Sequence, residues 1–168
     1  MKNDPKEHDP MIGPLHPKTV SESRINLAQI MQPEHANIMG NVHGGVIMKL
    51  VDEAGALACM RHAQRRVVTV AVDSMIFRHP IRLGDLVLLT AELTHAGRSS
   101  MEVEIQVHAE NPITGDRMRT NTAYAVYVAL DELGKPTPVP ELLAENDEQR
   151  QRQADAHARQ ERRLRELQ

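Results

Sequence analysis

Aromatic residues and cysteine are scarce in this chain, and their scarcity excludes several functions. Phe, Trp and Tyr make up 2% of the 168 residues, which leaves little aromatic surface on which nucleic-acid bases could stack. The one cysteine, Cys59, excludes an internal disulfide and disfavours a cysteine-based zinc site. Because the nine histidines show neither HxxxH nor HExxH spacing, we also expect no metal site.

Positive charge and long apolar runs are lacking as well. The net charge of -3 gives no basic field that would attract nucleic acid or an anionic membrane surface. No apolar run reaches transmembrane length, and the charged N-terminus precedes no hydrophobic segment of the kind found in signal peptides. We therefore expect a cytoplasmic protein that binds neither nucleic acid nor a membrane.

The composition predicts one domain with a tail at each end. Residues 1–20 combine prolines with charges, which predicts a flexible N-terminal arm. Residues 21–140 hold the apolar material of the core. Residues 141–168 are rich in Glu, Gln, Arg and Ala without a continuous apolar face, which indicates a charged C-terminal helix or tail. We interpret it as solvated or frayed, with packing against neighbouring subunits as the alternative.

Hydrophobic patterning predicts five strands and one long helix. Residues 101–110 alternate between apolar and polar, as in a strand with one solvated face. Residues 66–77 are almost continuously apolar, as in a strand that is covered on both faces or lies at a subunit contact. The short connections are typical of an antiparallel meander. The remaining predicted strands are 24–31, 86–95 and 117–130, and the helix covers about 44–63.

The predicted helix is apolar on most of its circumference and has to be covered on several sides. A curved sheet can wrap one side, and a second copy of the chain can cover the rest. Small residues permit a close approach to that sheet. We therefore predict an α+β fold, with an antiparallel sheet curved around a central helix, and an obligate dimer. The small residues are Ala54, Gly55, Ala56 and Ala58.

A polar, glycine-bearing loop, residues 37–45, leads into this helix, and Asp52 lies in the helix's middle. Free N–H groups at a helix start attract negative charge, and a carboxylate in an apolar helix costs free energy unless it is paired or used. The N–H groups of Gly45 and Val46 could therefore hold the oxyanion of an acyl carbonyl. Asp52 could act as general base or as nucleophile, and Asn37 could orient water or a thioester.

Helix geometry separates these two parts of the predicted site. Asp52 lies seven residues after Gly45, which is roughly 10 Å along the axis at about 1.5 Å per residue. An aspartate side chain cannot span that gap. Two antiparallel helices in a dimer could bring one helix's start beside the middle of the other, so we expect a site composed of two subunits.

Each site residue also has a structural explanation. Asp52 alone could be a satisfied buried polar group, and Glu53 could serve only in an ion pair with Lys49. His43 could be an ordinary loop residue, and Cys59 a small core residue.

The segments 29–45 and 48–56 resemble the hotdog-fold acyl-CoA thioesterases, in particular the cytosolic long-chain acyl-CoA hydrolases and their single-domain bacterial relatives. Shorter matching segments extend the resemblance over residues 24–140. It implies a sheet wrapped around a central helix, paired hotdogs and, commonly, a hexamer of three pairs. The catalytic pair of that family would fall on Asn37 and Asp52 from opposite subunits.

Coenzyme A would enter as part of the substrate, and no further cofactor is implied. Its phosphates suit arginine side chains, and the candidate substrate-binding residues are His43, Gly44, Arg78, Arg98 and Arg119. The expected function is hydrolysis of acyl-CoA thioesters. The alternatives are a non-catalytic acyl-CoA sensor, which predicts loss of the base, and a hotdog hydratase, which needs a helix histidine. The helix has none before His62.

Overall fold

The structure is a computed structural model that describes residues 15–166. Within that range the chain forms seven strands and three α-helices, with a 3₁₀ turn at Pro33–His35. In chain order the elements are β1 (Lys18–Thr19), α1 (Val20–Ser23), β2 (Ile25–Ile30), α2 (Gly44–Ala63), β3 (Arg66–Phe77), β4 (Leu86–Ala96), β5 (Ser100–Glu110), β6 (Arg117–Leu130), β7 (Leu142–Leu143) and α3 (Asp147–Glu166).

All five predicted strands and the predicted helix are confirmed, and the strands form one antiparallel sheet in the order β2-β4-β5-β6-β3. The meander holds for β4, β5 and β6 but is wrong for β3, which pairs with β6 at the sheet edge. The connection 78–85 therefore crosses three strand spacings, roughly 14 Å. Eight residues reach at most about 26 Å when extended, so the crossing needs no further element.

Helix α2 lies in the concave side of this sheet and contacts all five of its strands. Burial of apolar side chains at helical spacing drives this packing. The α+β architecture with a sheet around a central helix is thereby confirmed. The buried residues of α2 are Ile47, Leu50, Val51, Ala54, Gly55, Ala58, Cys59, His62 and Ala63.

Strand β3 is an open edge of the sheet, and much of its apolar surface faces solvent in the single chain. The apolar sequence of β3 predicted either that both of its faces are covered or that it lies at a subunit contact. Within one chain the first alternative is wrong, so the subunit contact remains as the prediction. The opposite side of α2 is also uncovered. Exposed apolar residues there and on β3 are Met48, Leu57, Met60, Val68, Val70, Val72, Ile76 and Phe77.

The predicted flexible arm extends too far along the chain. Lys18 and Thr19 form β1, which pairs in parallel with β7, and Val20 is buried at the start of α1. Residues 1–14 lie outside the described part. These elements of two and four residues are too short to show a hydrophobic period, so sequence patterning could not find them.

Helix α3 docks on the outer, convex face of its own sheet, so the interpretation of this segment as a solvated or frayed tail is wrong. Ala156 is fully buried in the contact. Arg159 donates to Oε1 of Glu102 at 2.7 Å, and Arg163 donates to Oε2 of Glu102 at 2.8 Å and also binds Asp73. The Arg159 guanidinium lies 4.0 Å from the ring centroid of Tyr124.

Charge, and not apolar patterning, holds α3 in place. Arg152 donates to Glu92 at 2.6 Å, and Arg24 binds the other oxygen of that carboxylate. Burial raises the pKa of Glu92, but the hydrogen bonds from the two arginines outweigh it and hold the pKa below its usual value. A helix that is held by ion pairs shows no periodic pattern of apolar residues in its sequence. For this reason the sequence did not indicate that α3 packs against the sheet.

The same contact corrects the prediction for β5. Its side chains alternate as predicted, but the polar face is not solvated at Glu102 and Glu104, which are 1% and 7% exposed. Both carboxylates lie beneath α3 and bind its arginines. A buried, paired carboxylate is costly to leave without its partner.

We predict that Arg159→Leu destabilises the protein by about 2–4 kcal/mol, because it leaves buried Glu102 with one cation fewer. The matched control is Arg150→Leu in the same helix, whose partner Asp147 is 98% exposed at the side chain and whose loss should cost less than about 0.5 kcal/mol. Urea unfolding at one protein concentration measures both. Equal destabilisation by the two variants would show that α3 is not held by the buried pairs.

Candidate active site

The loop before α2 is closed by the side chain of Asn37. Its Oδ1 accepts hydrogen bonds from the backbone N–H of Met39 at 2.8 Å and of Asn41 at 3.2 Å. Gly40 has a φ of +79° and donates its N–H to the Asn37 carbonyl, and glycine adopts this left-handed conformation without steric cost. The amide nitrogen Nδ2 of Asn37 donates to no described residue, so it is available to a ligand.

The loop is fixed to the connection after β3 and forms a cleft with it. The N–H of Val42 donates to the carbonyl of Ile81 at 2.9 Å. The cleft has a volume of about 260 Å³, and its lining includes Asn37, Gly44, Phe77 and Arg78. The start of α2 and the Phe77 end of β3 thus meet at one opening.

His43 caps the N-terminus of α2 and occupies two of its N–H groups. The N–H of Gly45 donates to Nδ1 of His43 at 2.9 Å, and the N–H of Val46 donates to the His43 carbonyl at 2.9 Å. These are the two groups that the sequence indicated as oxyanion donors, and in this conformation both are already used. The N–H of Gly44 has no hydrogen-bond partner among the described residues, and Gly44 is one of the residues that line the cleft.

Asp52 is exposed at the open edge of the fold, and one of its carboxylate oxygens is fixed. The Thr69 hydroxyl donates to Oδ1 at 2.6 Å. The Tyr127 hydroxyl lies 3.3 Å from Oδ1 and 3.1 Å from the carbonyl oxygen of Asp52. Because Oδ2 accepts no hydrogen bond from any described residue, it is the oxygen that is free to react.

Thr69 and Tyr127 were not recognised as site residues from the sequence. Both lie on the inner face, where they are paired across β3 and β6. A single hydroxyl within the apolar run 67–72 was the available signal at Thr69. For Tyr127 the signal was weaker, since a tyrosine is an ordinary strand residue.

Asn37 and Asp52 are not brought together within one chain. Asn37 lies at the Phe77 end of β3, whereas Asp52 binds Thr69, eight residues back along that strand. Along the helix, Asp52 follows Gly44 by eight residues, which is roughly 12 Å. Within a single chain the two side chains therefore lie apart.

The three candidate arginines lie in different places. Arg78 lines the cleft. Arg119 lies near the start of β6 and is paired with His108 of β5. Arg98 precedes β5, and its carbonyl accepts the N–H of Val139, so it lies at the other end of the sheet from Arg78. Within one chain Arg98 does not reach the cleft.

Several structural interpretations of polar residues in α2 are confirmed. Lys49 and Glu53 form an ion pair at 3.6 Å, and Cys59 is fully buried, which raises the pKa of its thiol. His62 is buried. Its Nδ1 forms a hydrogen bond with the Ser23 hydroxyl at 2.8 Å, and its Nε2 donates to the Pro140 carbonyl at 2.9 Å. It joins α1, α2 and the segment after β6, away from the cleft.

The described residues hold neither a cluster of metal-binding side chains nor a membrane-spanning helix. Residues 15–166 contain no group of three or more His, Cys, Asp or Glu side chains that could hold a metal ion. Over the same residues no helix has the length and apolarity needed to cross a membrane.

Known proteins with this fold carry the same arrangement of elements. Residues 39–115 match the family model described as the thioesterase superfamily. A solved structure of an apo-hexameric acyl-CoA thioesterase is 36% identical, superposes with a TM-score of 0.87, and is covered over 97% of its chain and 90% of this one. The chain belongs to the thioesterase superfamily. The fold is therefore the hotdog fold, as the resemblance of the sequence to hotdog-fold thioesterases implied.

Two further relatives are informative. The cytosolic acyl coenzyme A thioester hydrolase of Rattus norvegicus is 36% identical over 145 residues, 85% of this chain, and the chain spans 38% of that enzyme's length. An acyl-CoA hydrolase of Staphylococcus aureus was solved in complex with butyryl coenzyme A, coenzyme A and coenzyme A disulfide. It is 34% identical, with a TM-score of 0.83 and coverage of 89% of this chain and 92% of that one.

We predict that Asn37→Ala and Asn37→Asp differ in their effect on the loop. Alanine removes the acceptor of two N–H groups, which should cost roughly 1 kcal/mol and speed amide exchange at Met39 and Asn41 on the order of five-fold. Aspartate keeps the acceptor and should leave exchange near the wild-type rate. Hydrogen-exchange mass spectrometry measures this, and equal exchange in all three proteins would mean that Oδ1 does not close the loop.

Proposed function

We propose that this protein hydrolyses acyl-CoA thioesters to free coenzyme A and a carboxylic acid. The observation that carries the proposal is the carboxylate of Asp52, which is held through Oδ1 and is free and exposed at Oδ2. A carboxylate kept this way is suited to act on water or on a carbonyl carbon. The names of the relatives point to the same reaction.

Variants of the Staphylococcus aureus enzyme support the choice of residues. Solved structures of it carry alanine in place of one asparagine, one aspartate or one threonine. In that enzyme the aspartate follows the asparagine by 15 residues and the threonine follows the aspartate by 17. Asn37, Asp52 and Thr69 have the same two intervals.

In the proposed reaction the acyl carbonyl binds at the start of α2. We assign the oxyanion to the N–H of Gly44, which is free, and leave Gly45 and Val46 to their bonds with His43. Oδ2 of Asp52 either takes a proton from water or attacks to give a mixed anhydride that water then opens. Nδ2 of Asn37 donates to the thioester or to the water. This route calls for no cofactor, since coenzyme A enters with the substrate and leaves as product.

We further propose that each site is shared by two chains. Thr69, which holds Asp52, and Phe77, which lines the Asn37 cleft, lie eight residues apart on edge strand β3. If two β3 strands pair antiparallel with their centre near Asp73, Thr69 of one chain lies opposite Phe77 of the other. Asp52 of one chain then faces the Asn37 cleft of its partner.

Exposed apolar surface supports such a pairing. An open, apolar edge strand is prone to pair with another chain, and β3 has exposed apolar residues along most of its length. At the tip of the loop, Ile38 and Met39 are 102% and 78% exposed. A partner subunit would cover all of these. Because the thioesterase neighbour named above is hexameric, we propose a homohexamer of three such dimers.

Arg78 at the cleft is the candidate for a phosphate of coenzyme A, and His43 and Gly44 for contacts with its thioester end. Arg98 lies at the other end of the sheet and would serve a neighbouring chain. Arg119 is at the cleft's end of the sheet, next to Thr120, whose carbonyl accepts the N–H of Arg78, and is a second candidate for a phosphate. From the name of the rat relative we also propose a cytosolic location.

We predict that Asp52→Asn lowers kcat for acyl-CoA hydrolysis by at least about 100-fold, because amide cannot act as base or nucleophile. Release of free thiol from a series of straight-chain acyl-CoA esters measures it, and Glu53→Gln, one residue away and on the solvent side, is the matched control. Tight acyl-CoA binding without thiol release by the wild-type protein would instead indicate a sensor module.

Mixed oligomers test the sharing of the site. We expect Asp52→Ala and Asn37→Ala subunits each to be inactive alone, whereas a heterodimer of the two would hold one site with both residues intact and one with neither. We expect purified heterodimers, isolated with a different tag on each chain, to regain about half the wild-type activity per dimer. Verified heterodimers that stay inactive would show that each chain uses its own pair.

A further inference from the structure

Tyr127 is fully buried on the inner face of the sheet, yet its hydroxyl reaches the exposed carboxylate of Asp52. Burial raises the pKa of this phenol, and the negative charge of Asp52 beside it raises the pKa further. The hydroxyl is therefore protonated over the whole working range and acts as a hydrogen-bond donor. Apart from Asp52, it has no hydrogen-bond acceptor among residues 15–166.

Gly55 makes this contact possible. A Cβ built at Gly55 would lie 2.3 Å from the Tyr127 hydroxyl oxygen and 2.9 Å from two ring carbons. Both groups are buried, so neither can move aside into solvent. Glycine is among the poorest helix formers, so its place in the middle of α2 is explained by the tyrosine that packs against it.

We propose that Tyr127, admitted against α2 by the missing side chain of Gly55, is a positioning residue that fixes the carboxylate of Asp52. With Thr69 it supplies two donors to Oδ1 and so turns Oδ2 toward the open edge of the sheet. The inference rests on the proposed function and deepens it. Tyr127 itself touches no substrate, because it is covered by α2.

The competing explanation is purely structural. A phenol has one hydrogen, and the hydroxyl lies slightly closer to the carbonyl oxygen of Asp52, at 3.1 Å, than to Oδ1, at 3.3 Å. If the hydrogen serves only the carbonyl, Tyr127 secures α2 to β6 and has no influence on the carboxylate. The two explanations differ in what happens when the Asp52 side chain is changed.

Kinetics of Tyr127→Phe give the first test. We expect kcat to fall about 10-fold, as for the loss of a hydrogen bond to a charged group, with KM within about two-fold of wild type. The control is Tyr124→Phe on the same strand, which removes a hydroxyl that donates to Glu104 on the outer face at 2.9 Å and should leave kcat unchanged. An unchanged kcat in Tyr127→Phe, with wild-type stability, would overturn the inference.

Gly55→Ala gives a second variant that reaches the same contact from the helix. It should lower kcat in the wild-type background by displacing the hydroxyl. In the Tyr127→Phe background it should have a smaller effect, because the closest clash has been removed. Full additivity of the two kcat effects would contradict a shared action through Tyr127.

Unfolding measurements separate this inference from the proposed reaction. A double-mutant cycle of Asp52→Ala, which removes the acceptor, and Tyr127→Phe, followed by urea unfolding, should show a coupling of about five-fold in the unfolding constant. That result needs no activity, so coupling in a protein that hydrolyses no acyl-CoA would refute the reaction and keep the contact. No coupling in an active enzyme would assign the hydroxyl to the carbonyl and overturn the inference.

Discussion

Helix α2 packs closely against the inner face of the sheet. This contact fixes both the position of the helix and its rotation about its own axis, and so determines which of its residues are exposed. The contact at Gly55 and Tyr127 leaves no room for a side chain on the helix. Asp52, three residues before Gly55 on the same side of the helix, contacts the same tyrosine and is held at the open edge beside β3. The carboxylate is exposed and yet constrained, which an aspartate on an ordinary surface helix would not be.

The position of Asp52 also means that a single chain does not bring this carboxylate to the start of its own helix. About eight residues of helix separate Asp52 from the free N–H at the helix start, and the amide of Asn37 lies at that same end. An aspartate side chain cannot cover that distance. In the proposed dimer, another chain packs on the apolar edge of β3 and on the uncovered side of α2. In this proposal the quaternary structure is part of the catalytic mechanism.

The outer face of the same sheet follows a different physical rule. Glu92, Glu102 and Glu104 would be solvated in a bare antiparallel sheet, and α3 covers them with arginines. Arg163 extends this network to Asp73 of β3, the edge strand that also carries Thr69. The convex face is therefore stabilised by charge, while the concave face is stabilised by apolar packing.

These two rules explain which features could be predicted from the sequence. Apolar periodicity revealed the five long strands, α2 and the expected fold, and the glycine loop with Asp52 indicated the site. Helix α3 was misinterpreted because its partners are ionic and separated from it by about 60 residues in the chain. Thr69 and Tyr127 were missed because their importance depends on the pairing of β3 with β6, which no local pattern contains.

In the proposed enzyme each reacting centre is built by two chains. A structure of the assembled protein with a thioether analogue of an acyl-CoA, in which the thioester carbonyl is replaced by a methylene, would show this directly. We expect the thioether group to lie between Oδ2 of Asp52 from one subunit and the Asn37 cleft of its partner. An analogue bound between Asn37 and Asp52 of the same subunit would contradict it.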